Sequence, residues 1–150
     1  GMLRGISLKR ACLGGVNLVN YDSKIGRDLT YADCYRADLN HAHLFNANFK
    51  HATLMKANLK NANLHCANIK KANLLGIRLN GSRIENIKIG KKLKQEFEAE
   101  KALGDNRKCE AIDYFEQAEE IYRDFRKHSE REGVFTMSGK FLQKELTMKC

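Results

Sequence analysis

Proline is missing from all 150 positions, so no Pro-rich linker marks a domain boundary. No stretch approaches the roughly 18 consecutive apolar residues that a membrane span needs. The five cysteines are odd in number and form no C-x-x-C pair, which argues against a disulfide framework and for a reducing, cytoplasmic setting. Met2 leads directly into patterned sequence without a leader, and Gly1 before it reads as a tag remnant. Acidic residues are scarce: 18 Asp and Glu stand against 27 Lys and Arg, a net charge of +9. Yet 43% of residues are hydrophobic, too many for a disordered chain. The length allows one domain with a real core, plus an accessory segment.

What is present is a repeat. From residue 29 to 89 every fifth position is apolar: Leu29, Cys34, Leu39, Leu44, Phe49, Leu54, Leu59, Leu64, Ile69, Leu74, Leu79, Ile84 and Ile89. Two positions before them runs an unbroken series of alanines from Ala32 to Ala72. Asp33, Asp38, Asn48, Asn58, Asn63, Asn68 and Asn73 sit between. Leu3, Leu8, Leu13 and Leu18 keep the same spacing one residue out of phase, which places a bulge or one-residue insertion within Asn20–Arg27, near Gly26.

A period of five fits neither regular element. Five residues advance a helix by about 500°, so no stripe forms. On a flat strand an odd period sends successive leucines to opposite faces. Every leucine points inward only if the backbone turns once per repeat, with Ala and Leu aimed at one side by a short extended piece. Asn or Asp between them faces out and bonds to local backbone. The pattern therefore predicts a tightly wound β-solenoid.

Units such as Ala57-Asn58-Leu59-Lys60-Asn61 and Ala62-Asn63-Leu64-His65-Cys66 resemble the pentapeptide-repeat family. The resemblance implies a right-handed quadrilateral β-helix over residues 2–91, with 20 residues per coil and about four and a half coils. Ile77, Ser82 and Ile87 replace Ala, and Arg78, Arg83 and Lys88 replace Asn, so the last coil is expected to be less regular.

Residues 92–150 form a second segment, a C-terminal α appendage to the all-β solenoid. Leu93, Phe97 and the region 99–103 suit a first helix ending at Gly104, with Asp105 or Asn106 capping the next. Ile112, Phe115, Ala118, Tyr122 and Phe125 recur at helical spacing, widened by Ala111, Tyr114 and Ile121; Gly133 reads as a stop. Phe135 leads to a last helix with Phe141, Leu142 and Leu146. The stretch 118–146 resembles a single tetratricopeptide-like hairpin. One such unit cannot bury its own apolar face, so it is expected to cap the solenoid's open end or to join two copies as a homodimer.

With 20 residues per coil, the outward positions sort into faces. Lys50, His51, Lys70, Lys71, Lys88 and Lys91 share one, a basic column. Tyr35, Met55 and Leu75 stack on another, a candidate docking strip for the helices or a second subunit. The basic column reads as an aggregation-resistant surface or, as the less favoured alternative, an electrostatic footprint for nucleic acid or an acidic partner. Nucleic-acid modules interleave stacking aromatics with their charge, and none is apparent beside this column.

Catalytic signatures are missing. There is no G-x-S-x-G, no H-E-x-x-H and no Gly-rich phosphate loop. His41, His43, His51 and His65 fall at different places in the repeat, Cys34 takes a core position as an inert small hydrophobe, and Cys66 is expected to be exposed. No catalytic residue, cofactor or metal is expected. Some pentapeptide-repeat proteins imitate DNA and bind DNA gyrase through acidic faces. Residues 1–90 carry 8 Lys and 6 Arg against 5 acidic side chains, so the sign opposes that activity. The expectation is a non-catalytic scaffold for an unidentified protein partner.

Overall fold

The computed structural model describes residues 3–19, 28–133 and 135–149. The chain divides into two compact units, Gly1–Lys91 and Lys92–Cys150.

The first unit is a four-sided solenoid. Parallel single-residue β-bridges join Asp28 to Asn48, Asn48 to Asn68 and Asn68 to Lys88, and three further columns run in the same way from Asp33, Asp38 and His43. Each side of a coil is thus one repeat long, and residues 20 apart stack. The extended pieces are too short to form multi-residue strands. The core is the column of Leu, Phe, Ile and Cys side chains with the alanines between them: Leu29, Cys34, Ala37, Leu44, Ala47, Phe49, Leu54, Ala57, Leu59, Ala67 and Leu74 are all fully buried. Small Ala beside large Leu lets the narrow interior close without voids.

One repeat shows how the backbone is satisfied. The Ala57 N–H donates to Leu54 O (3.0 Å), Asn58 N–H to Ala37 O in the coil before (2.9 Å), and Leu59 N–H to Arg78 O in the coil after (2.9 Å). Asn61 N–H donates to Asn80 O (2.9 Å). The fifth donor, Lys60 N–H, has no backbone acceptor and turns to Asn58 Oδ1 at 3.1 Å. Asp28, Asp33, Asp38, Asn48, Asn63, Asn68 and Asn73 make the same bond to the residue two places on. The polar residue in the motif therefore supplies the one acceptor that the winding leaves out.

Each corner is a β-turn closed by a bond such as Ala32 N–H to Leu29 O, with only its third residue at positive φ, the signature of type II. Glycine takes that place at 5, 15, 76 and 81, and asparagine at 46, 61 and 86. Arg10, Tyr31, Arg36, His41, His51, Lys56, Cys66 and Lys71 hold it with full side chains. The turning residue is thus in the variable part of the motif, not at Asn or Asp.

Three expectations change. Ser7, Cys12 and Asn17 bridge to Asp33, Asp38 and His43, an offset of 26 rather than 20. Eleven residues therefore separate Asn17 from Asp28 where every other step takes five, so the interruption is six residues, one whole repeat plus one; the expected bulge near Gly26 lies outside the described residues. A five-residue period reports an insertion only by its remainder. The described coils accordingly number four layers per face rather than four and a half. The last coil also keeps its regular backbone through Lys88, although Arg78, Arg83 and Lys88 cannot make the Asn bond, because the ladder uses main-chain groups only.

The second unit has three helices: α1 (Lys94–Gly104), α2 (Lys108–Arg131) and α3 (Phe135–Lys149). The long α2 packs against both neighbours. Ala111, Ala118, Ile121, Tyr122 and Phe125 form its buried face, and Phe125 meets Phe141 of α3 at 5.4 Å between ring centres. Glu96 accepts from the Leu93 N–H at 2.7 Å and from the Tyr122 hydroxyl, tying α1 to α2; burial first, then Glu96, pushes the Tyr122 phenol pKa up. Glu145 of α3 lies between Arg126 Nε (2.8 Å) and Arg123 Nε (3.2 Å) of α2. Gly133 stops α2 at φ +76°, as expected. α1 ends at Gly104, as expected, with Asp105 following it, but Arg107 rather than Asp105 or Asn106 precedes α2. Phe97, Ile112, Leu142 and Leu146 are exposed rather than in the core, because the buried stripes are narrow and Ala, Ser and Glu fill much of them. No helix among the described residues is long and apolar enough to cross a membrane.

Candidate interaction surface

With the backbone satisfied internally, the solenoid's chemistry lies in its outward side chains, and the corners project them furthest. Lys50, His51, Lys70 and Lys71 of the basic column assemble at one corner, while Lys88 bridges Asn68 on the flat side before it. His51 N–H donates to Lys70 O (3.1 Å) and Tyr31 N–H to Lys50 O (3.1 Å), so residues 30–31, 50–51 and 70–71 stack in successive coils. Lys70, Lys71, Lys88 and Lys91 are exposed, Lys50 and His51 half-buried.

An aromatic partner that sequence reading missed stands in this column. The Tyr31 ring stacks on His51 with centroids 4.7 Å apart and planes within 10°. The Arg4 guanidinium covers the ring at 5.1 Å. The six-residue interruption hid this arrangement: the 20-residue stacking rule, extended through it, does not put Arg4 next to Tyr31.

The next corner carries the candidate docking strip. Arg36 N–H donates to Met55 O (3.0 Å) and Lys56 N–H to Leu75 O (2.9 Å), which stacks Tyr35, Met55 and Leu75 in one line, all half-buried. At its first member the strip is not apolar. Lys9 Nζ lies 5.6 Å from the Tyr35 ring centre, Arg10 5.8 Å and Arg36 5.5 Å. Arg36 Nε also donates to the Tyr35 hydroxyl at 3.1 Å. That bond, with the charges of Arg36, Lys56 and Arg10, holds the Tyr35 phenol below its usual pKa. Arg10, Arg36 and Lys56 occupy the left-handed position of three successive coils, stacked about one ladder spacing (~4.8 Å) apart. Among the described residues no carboxylate pairs with Lys9, Arg10, Arg36 or Lys56. The nearby Asp33 carboxylate accepts from the Tyr35 N–H instead.

The remaining corners differ. At one, Asn61 approaches the His41 ring and Gly81 leaves space for the Asn61 amide; at the other, Phe45 stacks on His65 at 5.5 Å. Cys66 is half-buried there rather than exposed, since its corner position is flanked by neighbouring coils. Cys34 is fully buried, and burial pushes its thiol pKa up to about 12, as suits a core hydrophobe. Among the described residues no three His, Cys, Asp or Glu side chains gather as a metal site.

Residues 42–81 match the model of the family described as pentapeptide repeats, in eight copies. No curated protein matches the chain. Among solved structures it is similar to a pentapeptide repeat protein of the cyanobacterium Cyanothece 51142, at 24% identity over 58% of this chain and 89% of that one, with a TM-score of 0.38. A pentapeptide repeat protein from Nostoc Pcc 7120 shares 31% identity over 51% of this chain and 62% of its own, at a TM-score of 0.31. One from the thylakoid lumen of Arabidopsis thaliana shares 17% identity over 62% and 60%, at 0.33. The four-sided winding described above rests on the coil's own hydrogen bonds and not on these likenesses.

Proposed function

We propose that this pentapeptide-repeat solenoid, with the right-handed winding the family resemblance implies, is a non-catalytic platform that presents flat faces and charged corners to another macromolecule. The observation that carries the reading is the use of the turn positions. Eight corners hold Arg, Lys, His, Tyr or Cys in a left-handed conformation, where glycine costs nothing and other residues roughly 1–2 kcal/mol. Side chains kept at such positions favour display over fold economy. The sign of the solenoid's charge opposes the gyrase-directed DNA mimicry found in the family. The helical unit is read as a cap for the final coil or a junction between two copies. Among the described residues the thiols of Cys12, Cys34, Cys66 and Cys109 are free, which supports a reducing, cytoplasmic setting.

The test is affinity capture of the full chain against a variant with Lys50, Lys70, Lys71 and Lys88 changed to Glu. The expected result is one partner retained by the parent and lost by the variant. Identical capture by both removes the basic column from the function. A second capture without residues 92–150, read beside the oligomeric state of each form, assigns recruitment to the solenoid or to the helices.

A further inference from the structure

We infer that the Tyr35 corner, continued by the Tyr31 corner beside it, binds the phosphate backbone of a single-stranded nucleic acid without regard to base sequence. The inference deepens the platform reading by naming the partner's chemistry. Four cations, Lys9, Arg10, Arg36 and Lys56, gather around one tyrosine, and among the described residues no carboxylate pairs with any of them; the nearby Asp33 carboxylate accepts from the Tyr35 N–H. The two arginines and Lys56 repeat at the ladder spacing, which offers a row of donors to a row of phosphates. One repeat away, Arg4 lies over the Tyr31 ring, which stacks on His51, and Lys50 and Lys70 precede the corner residues of the next two coils.

Two features choose the form of the ligand. Tyr31 has Arg4 over its ring and His51 stacked at 4.7 Å, so its π surface is occupied and base stacking is not what it offers. Contacts then fall on phosphate and sugar, which position a strand and do not read it. The site is also a convex corner. A rigid duplex meets a convex surface at few phosphates, whereas a flexible strand bends around two adjacent corners.

The test is fluorescence anisotropy of labelled 20-nucleotide (dT), (rU) and mixed-sequence strands with the full chain from 50 to 200 mM salt. All three strands should bind within about threefold of each other. The four cations of the Tyr35 corner by themselves imply a slope of about −3 or steeper for log K against log salt, hence a loss of about fifty-fold or more over that range. Changing Arg10, Arg36 and Lys56 to Gln should flatten the slope by about 2 and weaken binding at least tenfold at 50 mM. Lys60, Arg78 and Arg83 changed to Gln, an equal loss of charge on other faces, should leave both nearly unchanged. Thermal melts matching the parent show that each variant is folded; should the triple variant melt early, Arg36→Gln alone replaces it, with an expected loss of one phosphate contact.

Absence of binding at 50 mM overturns the inference. So does equal loss in the control variant, tighter binding of a 20-bp duplex, or tighter binding of a poly-glutamate of matched charge, which would make the ligand an acidic protein. Any of these, alongside a protein captured through the solenoid, leaves the platform reading standing and removes only the nucleic-acid strand.

Discussion

The polar residue of each repeat and the left-handed residue three places after it serve opposite ends of one turn. Asn63 accepts from the His65 N–H at 3.1 Å, the donor that the ladders leave over. Asn63→Ala should therefore cost about 1 kcal/mol in a denaturant melt, while Asn63→Asp should cost less, because it keeps the acceptor. The glycine positions separate strain from contact. An added methyl at Gly81 would meet Asn61 Oδ1 at 2.1 Å, whereas one at Gly15 meets nothing within 4 Å. Both residues sit at positive φ, so each change to Ala carries roughly 1–2 kcal/mol of backbone strain. Gly81→Ala should be the more damaging, and Asn61→Ala should recover the difference. Equal melting temperatures for the two glycine variants would show that the amide simply rotates away. The role of Asn and Asp was legible from their position in the repeat. The left-handed residue was legible only in part, since Gly or Asn holds it at seven corners while Arg, Tyr, His, Lys or Cys at the other eight blurs the signal.

At the scale of the coil and the helix pair, direction of burial decides the outcome. Leu59 is fully buried, and Lys60 beside it is part of an outward corner. Leu59→Asp should unfold the solenoid, because it puts an unpaired charge in an apolar core. Lys60→Asp should shift the melt by less than about 0.5 kcal/mol. Removing six residues between Asn17 and Asp28 gives that step the five-residue length of all the others, so the ladder should keep its register. Removing only one, as the phase of the leucines suggests, leaves a surplus repeat.

The helices are held differently, through Glu145. Burial raises its pKa, but hydrogen bonds and charge from Arg126 and Arg123 outweigh this and hold the carboxyl below the usual range. Asp38 and Asp28 in the solenoid are also held low, chiefly by bonds from the side chains of Asn40 and Thr30. For groups depressed on folding, the unfolded chain binds protons first as pH falls. Their stabilisation is complete above the ordinary carboxylate range near pH 4 and is lost as pH drops through the depressed values. Both units should thus weaken below about pH 4. Glu145→Gln should remove the helical unit's share of that dependence, as read by circular dichroism at the helix band.

The molecule as a whole is electrostatically divided. Residues 1–90 carry 14 basic and 5 acidic side chains, while 91–150 carry 13 of each. The excess charge belongs to the solenoid, so salt should act on its binding and much less on the helices. In the helical unit the charges answer each other, as Glu119, Arg123, Glu145, Arg126 and Glu130 do across α2 and α3. In the solenoid the described ion pairs reduce to Arg83 with Glu85 at 3.7 Å. By itself the sequence determined the winding, the inward and outward positions and the sign of the charge, because a fixed period leaves only one way to bury every leucine. The neighbours of Tyr31 and Tyr35 were decided by tertiary structure alone. Arg4, Lys9 and Arg10 reach them across the six-residue interruption, whose length a five-residue period records only as a remainder of one.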